Sequence, residues 1–566
     1  MAGCTISPLA FTMAMEVIIR ASRWLVGGQK LKAGLCLPPI RAYMDDMTIL
    51  TTNKVCARRL LNKLQENIQW ARMEIKPSKS RSISVVKGKL SEQRFYVGKE
   101  PIPTVAEKPV KSLGRWYHDT FKDTEQVNQL KKDTICGLES INKTKLPGTL
   151  KLWSLQFELV PRLMWPLTIY EVPISKVEKL ERVVSSFAKK WLGLPRCFTN
   201  IGLYGRGILE IPVSSLAEEF KCSKAKADLR HRDIIVNVQQ GRGGLGLGDS
   251  RPSWQRAASD QRQRLVVEEV RRHEQATRCV KAISQAKQGQ WTRWEGVERR
   301  KLSWRELMGM EAFHISFILR ATYDVLPSPS NLNQWYGEDP TCPLCPSPAN
   351  LKHILVGCKT SLSQGRYTWR HNHVLKCLAA TLECRRIKVN ALPSPSLHPS
   401  YAREFIREGT KTAKVQTTSD VGQLGRARDW KLVADLNQRL HFPSENATTN
   451  LRPDLVLWSS SLHSVYIIEL TVPWEAAVEE AFECKSLKYT ELAADAEQRG
   501  WKAKVCPVEV GCRGFVGKST IRLLKELGVQ GQTLRRTIKA LSGAAEKASR
   551  WLWVKRGDSN WAPNIT

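Results

Sequence analysis

The chain has 566 residues, and 88 lysines and arginines against 54 acids leave a formal net charge of +34. A chain this long builds several domains with cores of their own, and so large a positive excess favours a polyanionic partner bound with salt-sensitive affinity. No apolar run is long enough to span a bilayer, no basic segment precedes the short apolar run Leu9 to Met15, and fifteen scattered cysteines point to free thiols and metal ligation in a reducing compartment, nuclear or cytoplasmic.

The first block, Gly3-Cys4-Thr5-Ile6-Ser7-Pro8-Leu9, leads into an apolar helix running from about Phe11 to Trp24. Next comes Ala42-Tyr43-Met44-Asp45-Asp46-Met47, flanked by strand-forming residues Ile40 to Met44 and Met47 to Thr52, which predicts a β-hairpin with both acids at its tip. Paired aspartates on a rigid turn can hold the divalent ions that clamp the attacking and leaving oxygens of a phosphoryl transfer, although an exposed acidic turn has the same sequence. Met73-Glu74-Ile75-Lys76-Pro77-Ser78-Lys79-Ser80, a β-rich run from Ile83 to Val86, and Val110-Lys111-Ser112-Leu113-Gly114-Arg115 follow in order.

This succession resembles the palm of reverse transcriptases: a Gly-x-x-x-Ser-Pro helix start, a Tyr-x-Asp-Asp hairpin, a Pro-Ser-Lys-Ser segment and a Leu-Gly primer-grip region. The resemblance implies that Asp45 and Asp46 ligate Mg²⁺ or Mn²⁺. It also implies a further catalytic aspartate on a strand before the Gly-x-x-x-Ser-Pro block, and here Glu16, inside the helix, is the only acid before Asp45. A two-metal site short of one shared carboxylate binds metal poorly, so the expectation is a truncated palm, residues 1–120, that polymerises little.

Helical periodicity dominates residues 121–240, as in Val177 to Leu192, where the family places its thumb. Gln239 to Gly248 is glycine-rich and is predicted to be a loop or hinge. Residues 249–326 form a basic helical linker; within it, 251–300 carry twelve lysines or arginines against six acids, with Trp254, Trp291 and Trp294 interleaved. That suits a surface tracking a phosphate backbone, or equally a solvated helix face. Most of the 19 tryptophans and 11 tyrosines are expected in the core, with some free to stack on unpaired bases.

In residues 327–391, Cys342, Cys345, His353 and Cys358 have the spacing C-x2-C-x7-H-x4-C. Two ligands from a tight turn and two from a following short helix can close a tetrahedron around Zn²⁺, provided the last helical turn loosens to bring His353 and Cys358 together. A module this small has little core, so the metal supplies much of its folding energy. The spacing resembles the knuckle that site-specific, non-LTR retrotransposons carry after the polymerase, and Arg366-Tyr367-Thr368-Trp369-Arg370-His371-Asn372 resembles their Arg/His/Asn segment.

A Pro-rich stretch, Leu392 to Pro399, separates this module from residues 400–540. There, Leu451-Arg452-Pro453-Asp454 opens an apolar strand, Val465 to Thr471 forms a second with Glu469 on its buried side, and Lys504 to Val510 a third. A helix starting after Pro473 puts Lys485, Lys488 and Tyr489 on one face. The set resembles the restriction-like endonuclease fold, in which Asp454 and Glu469 would ligate Mg²⁺ and a lysine would handle the attacking water. Thr471 stands where that fold usually keeps its lysine; the retrotransposon branch takes it from the next helix, as Lys485-Ser486-Leu487-Lys488-Tyr489 allows, with Lys485 preferred. An α/β domain with a strand-edge acid and helix lysines has the same local features. Gly514 to Thr520 ends like a phosphate-binding loop, but Cys512 replaces the required glycine, so Lys518 to Leu527 is predicted to be a structural helix. Residues 541–566 are a basic tail suited to lying along DNA.

The expected fold class is therefore multidomain α+β and α/β: partial palm, helical thumb and linker, small zinc knuckle and restriction-like endonuclease core. Intact members of the family nick a DNA target and extend the freed 3′ hydroxyl by copying the element's RNA. For this chain the expectation is DNA and element RNA as partners, no membrane, nicking retained and polymerisation lost. The alternative is a non-catalytic nucleic-acid-binding relic.

Overall fold

The computed structural model describes residues 6–30, 36–119, 123–234, 257–393, 422–436 and 440–561. The start of the Gly3 block, the glycine-rich stretch Gln239 to Gly248, Trp254 and the end of the Pro-rich segment lie outside the described residues. The chain divides into two compact units, one of residues 1–145, 153–184 and 214–274, the other of 146–152, 185–213 and 275–566. Among the described residues no helix is long and apolar enough to cross a membrane, and every cysteine is a free thiol.

In the first unit, helix α1 (Ser7–Arg23) starts with Pro8 in its first turn, where the missing N–H costs nothing. Its Met15, Ile18 and Ile19 bury against Leu60, Leu64 and Ile68 of α2 (Lys54–Trp70), whose first turn is capped by Asn53 Oδ1 accepting from Cys56 N at 2.8 Å. The opposite stripe of α1, Leu9, Met13 and Val17, stays exposed. Between the helices, β1 (Ile40–Tyr43) pairs antiparallel with β2 (Asp46–Ile49). A second hairpin, β3 (Val110–Ser112) with β4 (Arg115–Tyr117), closes through Leu113-Gly114, both at positive φ, 48° and 83°. That is the type I′ pattern matching the strand twist. At position 114 glycine is needed twice over, because a Cβ would also come within 2.5 Å of Trp165 Nε1.

Helices α3 (Thr124–Lys143), α4 (Val160–Ile169), α5 (Ile174–Trp191) and α6 (Leu216–Ile234) follow, in agreement with the helical pattern of that region. Lys224 of α6 donates to Thr168 O at 2.7 Å and Tyr170 O at 3.0 Å, a cation on the carbonyls at the C-terminal end of α4.

The second unit is built on a four-stranded sheet, β5 (Trp430–Ala434), β6 (Leu455–Ser459), β7 (Ser464–Thr471) and β8 (Lys502–Glu509), hydrogen-bonded in that order. The first two pairings are antiparallel and β7–β8 is parallel. A parallel pair needs a crossover, here supplied by α7 (Val478–Lys488) and α8 (Thr490–Gln498). Both sheet faces are covered, which is why β6 and β7 are continuous apolar runs. Leu455, Leu457, Ile468 and Leu470 pack with Leu375, Leu378 and Leu541, whereas Val456, Trp458, Val465 and Ile467 pack with Tyr489, Leu492 and Ala496. The three strands expected from sequence are present; β5 is an additional edge strand.

A long helix, α9 (Arg366–Asn390), precedes the sheet in sequence, and α10 (Lys518–Glu526) and α11 (Gly531–Val554) follow it. The basic tail expected from Leu541 onward is helical as far as Val554. Leu534, Leu541, Ala545, Ala548 and Leu552 recur at helical spacing and are buried, so α11 packs on α9 as part of the core. Only its other face, with Arg535, Arg536, Lys539 and Lys547, is exposed.

Candidate nuclease centre and metal cluster

The acidic hairpin in the first unit is tighter than the sequence suggests. Tyr43 pairs with Asp46, so Met44 and Asp45 alone form the turn and Asp46 begins β2. Met44 sits at φ 55°, a strained setting for a non-glycine residue of the kind that functional turns keep. Both aspartates are exposed, and no group of three or more metal-ligating side chains includes them among the described residues.

The Cys/His cluster does converge. Ligand atoms of Cys342, Cys345, His353 and Cys358 all lie within 4.8 Å of one another. Cys345 Sγ is 3.9 Å from Cys358 Sγ and 3.2 Å from His353 Nε2. A tetrahedron with metal–sulfur bonds of about 2.3 Å has S···S edges of about 3.8 Å, so this donor set fits a zinc-sized ion. The loosened turn is a π-helical one, His353–Gly357, whose wider winding brings residues five apart onto one side. Burial lowers the His353 pKa, favouring the neutral, ligating imidazole. Burial alone would raise Cys358, but hydrogen bonds from the Ser361 backbone and hydroxyl, Cys345 and Cys342 outweigh it and hold this thiol below its ordinary value.

The third group sits where β6 and β7 meet α7. Asp454 immediately precedes β6 and lies beside Glu469, whose Oε2 accepts from Asp454 N at 3.2 Å. Asp454 Oδ2 accepts from Leu470 N at 2.7 Å. Glu469 is only 4% exposed. Its Oε1 accepts from Lys485 Nζ at 2.7 Å and Lys488 Nζ at 3.3 Å, and its Oε2 from Tyr489 O–H at 2.9 Å. Burial first, and then the negative charge of Glu469, push the Tyr489 phenol up and keep it a donor. A buried carboxylate is costly unless compensated, and here two ammonium groups and a phenol compensate it. The three helix residues share one face, as their spacing requires.

Residues 1–117 match the reverse transcriptase (RNA-dependent DNA polymerase) family. The chain carries a reverse-transcriptase domain. The matched segment contains the Asp45–Asp46 hairpin. Over 203 residues the chain is 24% identical to the retrovirus-related Pol polyprotein from the type-2 retrotransposable element R2DM of Drosophila melanogaster. That alignment covers 34% of this chain and 18% of the relative.

One member of the centre is absent from the sequence reading of the site. His371, in the second turn of α9, places Nε2 3.2 Å from Asp454 Oδ2 and 3.1 Å from Leu470 O. Burial disfavours its charged form, but hydrogen bonds to Asp454, Asn372 and Leu470 more than offset this and raise its pKa. Its segment stood out in the sequence only as Arg-His-Asn after the cysteines; 83 residues separate His371 from Asp454, and no local pattern joins them.

Proposed function

We propose that this chain is a non-LTR retrotransposon protein whose C-terminal sheet is a metal-dependent DNA endonuclease of the restriction-like kind, in a chain that also carries a zinc knuckle and a reverse-transcriptase domain. The convergence of Asp454, Glu469, Lys485, Lys488 and Tyr489 on one point of a rigid sheet carries this reading. Asp454 and Glu469 would hold Mg²⁺ or Mn²⁺, which would polarise the scissile phosphate and stabilise the charge that develops on it. Cys342, Cys345, His353 and Cys358 hold Zn²⁺.

The lysines make the step one of exchange. Both ammonium groups lie on Glu469 Oε1, so one of them can leave that oxygen for the phosphate while the other still holds it. Lys485 is the better placed, at 2.7 Å and 28% exposed against 3.3 Å and 44% for Lys488. It orients the attacking water, whose oxygen bonds to phosphorus while its proton passes to a nearby base or solvent. The P–O3′ bond breaks, and the departing oxygen takes up a proton to leave the 3′ hydroxyl from which a polymerase copying element RNA can extend.

The test is plasmid nicking by the full chain with Mg²⁺ or Mn²⁺, beside Asp454→Ala, Glu469→Ala, Lys485→Ala and Lys488→Ala. Both acid variants should abolish nicking, and Lys485→Ala should slow it by about 10²–10⁴-fold, more than Lys488→Ala. A folded, DNA-binding preparation that does not nick leaves a nucleic-acid-binding relic and overturns the enzyme.

A further inference from the structure

His371 has no place among the acids and lysines that define the proposed nuclease, yet its imidazole reaches the carboxylate that opens β6. Nε2 faces two oxygens, Asp454 Oδ2 at 3.2 Å and the carbonyl of Leu470 at 3.1 Å. A carbonyl oxygen can only accept, so Nε2 carries the hydrogen and is the donor. Asp454 Oδ2 thus has two donors, this imidazole and the Leu470 N–H. The described hydrogen bonds of the Asp454 side chain all end on Oδ2, leaving Oδ1 to face a ligand.

The helix that carries His371 is itself pinned at this point. The neighbouring Arg370, fully buried, donates Nη1 to Leu355 O at 2.8 Å and Nη2 to Val472 O at 3.3 Å. Leu355 lies in the π-turn between His353 and Cys358, and Val472 directly follows β7, the strand of Glu469. Tyr367, a turn earlier, accepts from Cys358 N at 3.0 Å. One turn of α9 therefore grips the Cys/His cluster on one side and the acid pair on the other.

We propose that His371 is a positioning residue of the Asp454–Glu469 centre: by holding Oδ2 it fixes the carboxylate plane and presents Oδ1 to the divalent ion. The inference rests on the endonuclease reading. Outer partners that orient a metal-ligating carboxylate typically change metal affinity by about 10–100-fold, and Leu470 N–H alone cannot fix a carboxylate that turns freely about its own bond. The helix following the cysteine module would then supply part of the nuclease.

Mn²⁺ binding to the zinc-loaded full chain, followed by its electron paramagnetic resonance signal, tests this, with Asp454→Ala defining binding at other sites. His371→Leu should weaken the Asp454-dependent binding by about 10–100-fold and shift the Mn²⁺ concentration for half-maximal nicking equally, while saturating Mn²⁺ restores most of the rate. His371→Gln, whose amide N–H reaches about as far as Nε2, should stay within a few-fold of wild type. If His371→Leu folds poorly, His371→Asn, polar but too short to reach Oδ2, should show the same weakening. Unchanged Mn²⁺ affinity in a folded Leu or Asn variant overturns the positioning role and leaves the nuclease standing. Absence of Asp454-dependent Mn²⁺ binding and of nicking in the wild type overturns the nuclease reading and this inference with it.

Discussion

Glu475→Ala should cost the second unit far more than the loss of any exposed ion pair. Glu475 lies just before α7, the helix that carries Lys485 and Lys488, and its side chain is fully buried. It accepts from Arg513 N at 2.6 Å and from Arg513 Nε at 2.5 Å. The Arg513 guanidinium is itself sandwiched between Trp474 and Trp294, 3.6 and 4.0 Å from their ring centroids. Removing the carboxylate strands a desolvated cation that has no water to turn to, a change that costs about 3–5 kcal/mol. At about 2–4 °C per kcal/mol for a large domain, the melting midpoint should fall by roughly 10 °C. Urea unfolding followed by tryptophan fluorescence measures the loss. Lys431→Ala, which breaks an ion pair 54% and 40% exposed, should cost less than about 1 kcal/mol. The double variant Glu475→Leu/Arg513→Leu should recover much of the loss, since an apolar pair leaves no buried charge. A Glu475→Ala loss no larger than that of Lys431→Ala would refute the reasoning.

The Cys/His cluster predicts metal-dependent stability. The purified chain should carry zinc there, and a chelator or Cys345→Ser should lower the melting midpoint, metal binding being worth about 4 kcal/mol at free zinc roughly a thousand times Kd. Zinc-free protein whose melting ignores the chelator would contradict this. Glu509, fully buried on β8, predicts a pH effect, because burial pushes its carboxyl from 4.5 up to about 7. The folded chain keeps that proton where the unfolded chain has released it, so stability falls as pH rises through this window, by up to about 3 kcal/mol. Glu509→Gln should remove the slope, so that its stability relative to wild type climbs between pH 5 and pH 7.5; a constant difference would show that Glu509 does not titrate there.

Short-range chemistry made much of this protein legible in its sequence. The hairpin of Asp45 and Asp46, the apolar runs of β6 and β7, and the four-ligand spacing of the cysteine module are local patterns. Each is set by side-chain periodicity or by the reach of a few bonds. The Lys485, Lys488 and Tyr489 face could be read because helical spacing fixes which side chains project together. The edge strand β5 is half-buried with Lys431 exposed, so it lacks the apolar signature of the central strands. Net basicity described the composition of the last segment and missed its amphipathic face, which made a core helix, α11, resemble a nucleic-acid-binding tail.

Only the tertiary structure decided which distant groups meet. Register across β6 and β7 sets Asp454 beside Glu469, and the crossover returns α7 so that its two ammonium groups fall on one carboxylate oxygen. Packing of α9 against the sheet brings His371 to Asp454, and the same packing buries Arg370 between the cysteine module and the strand. Sequence patterns encode which face of an element is apolar. They carry no record of which polar group will stand opposite once those faces close, because that depends on the crossing of whole elements rather than on the spacing of neighbours.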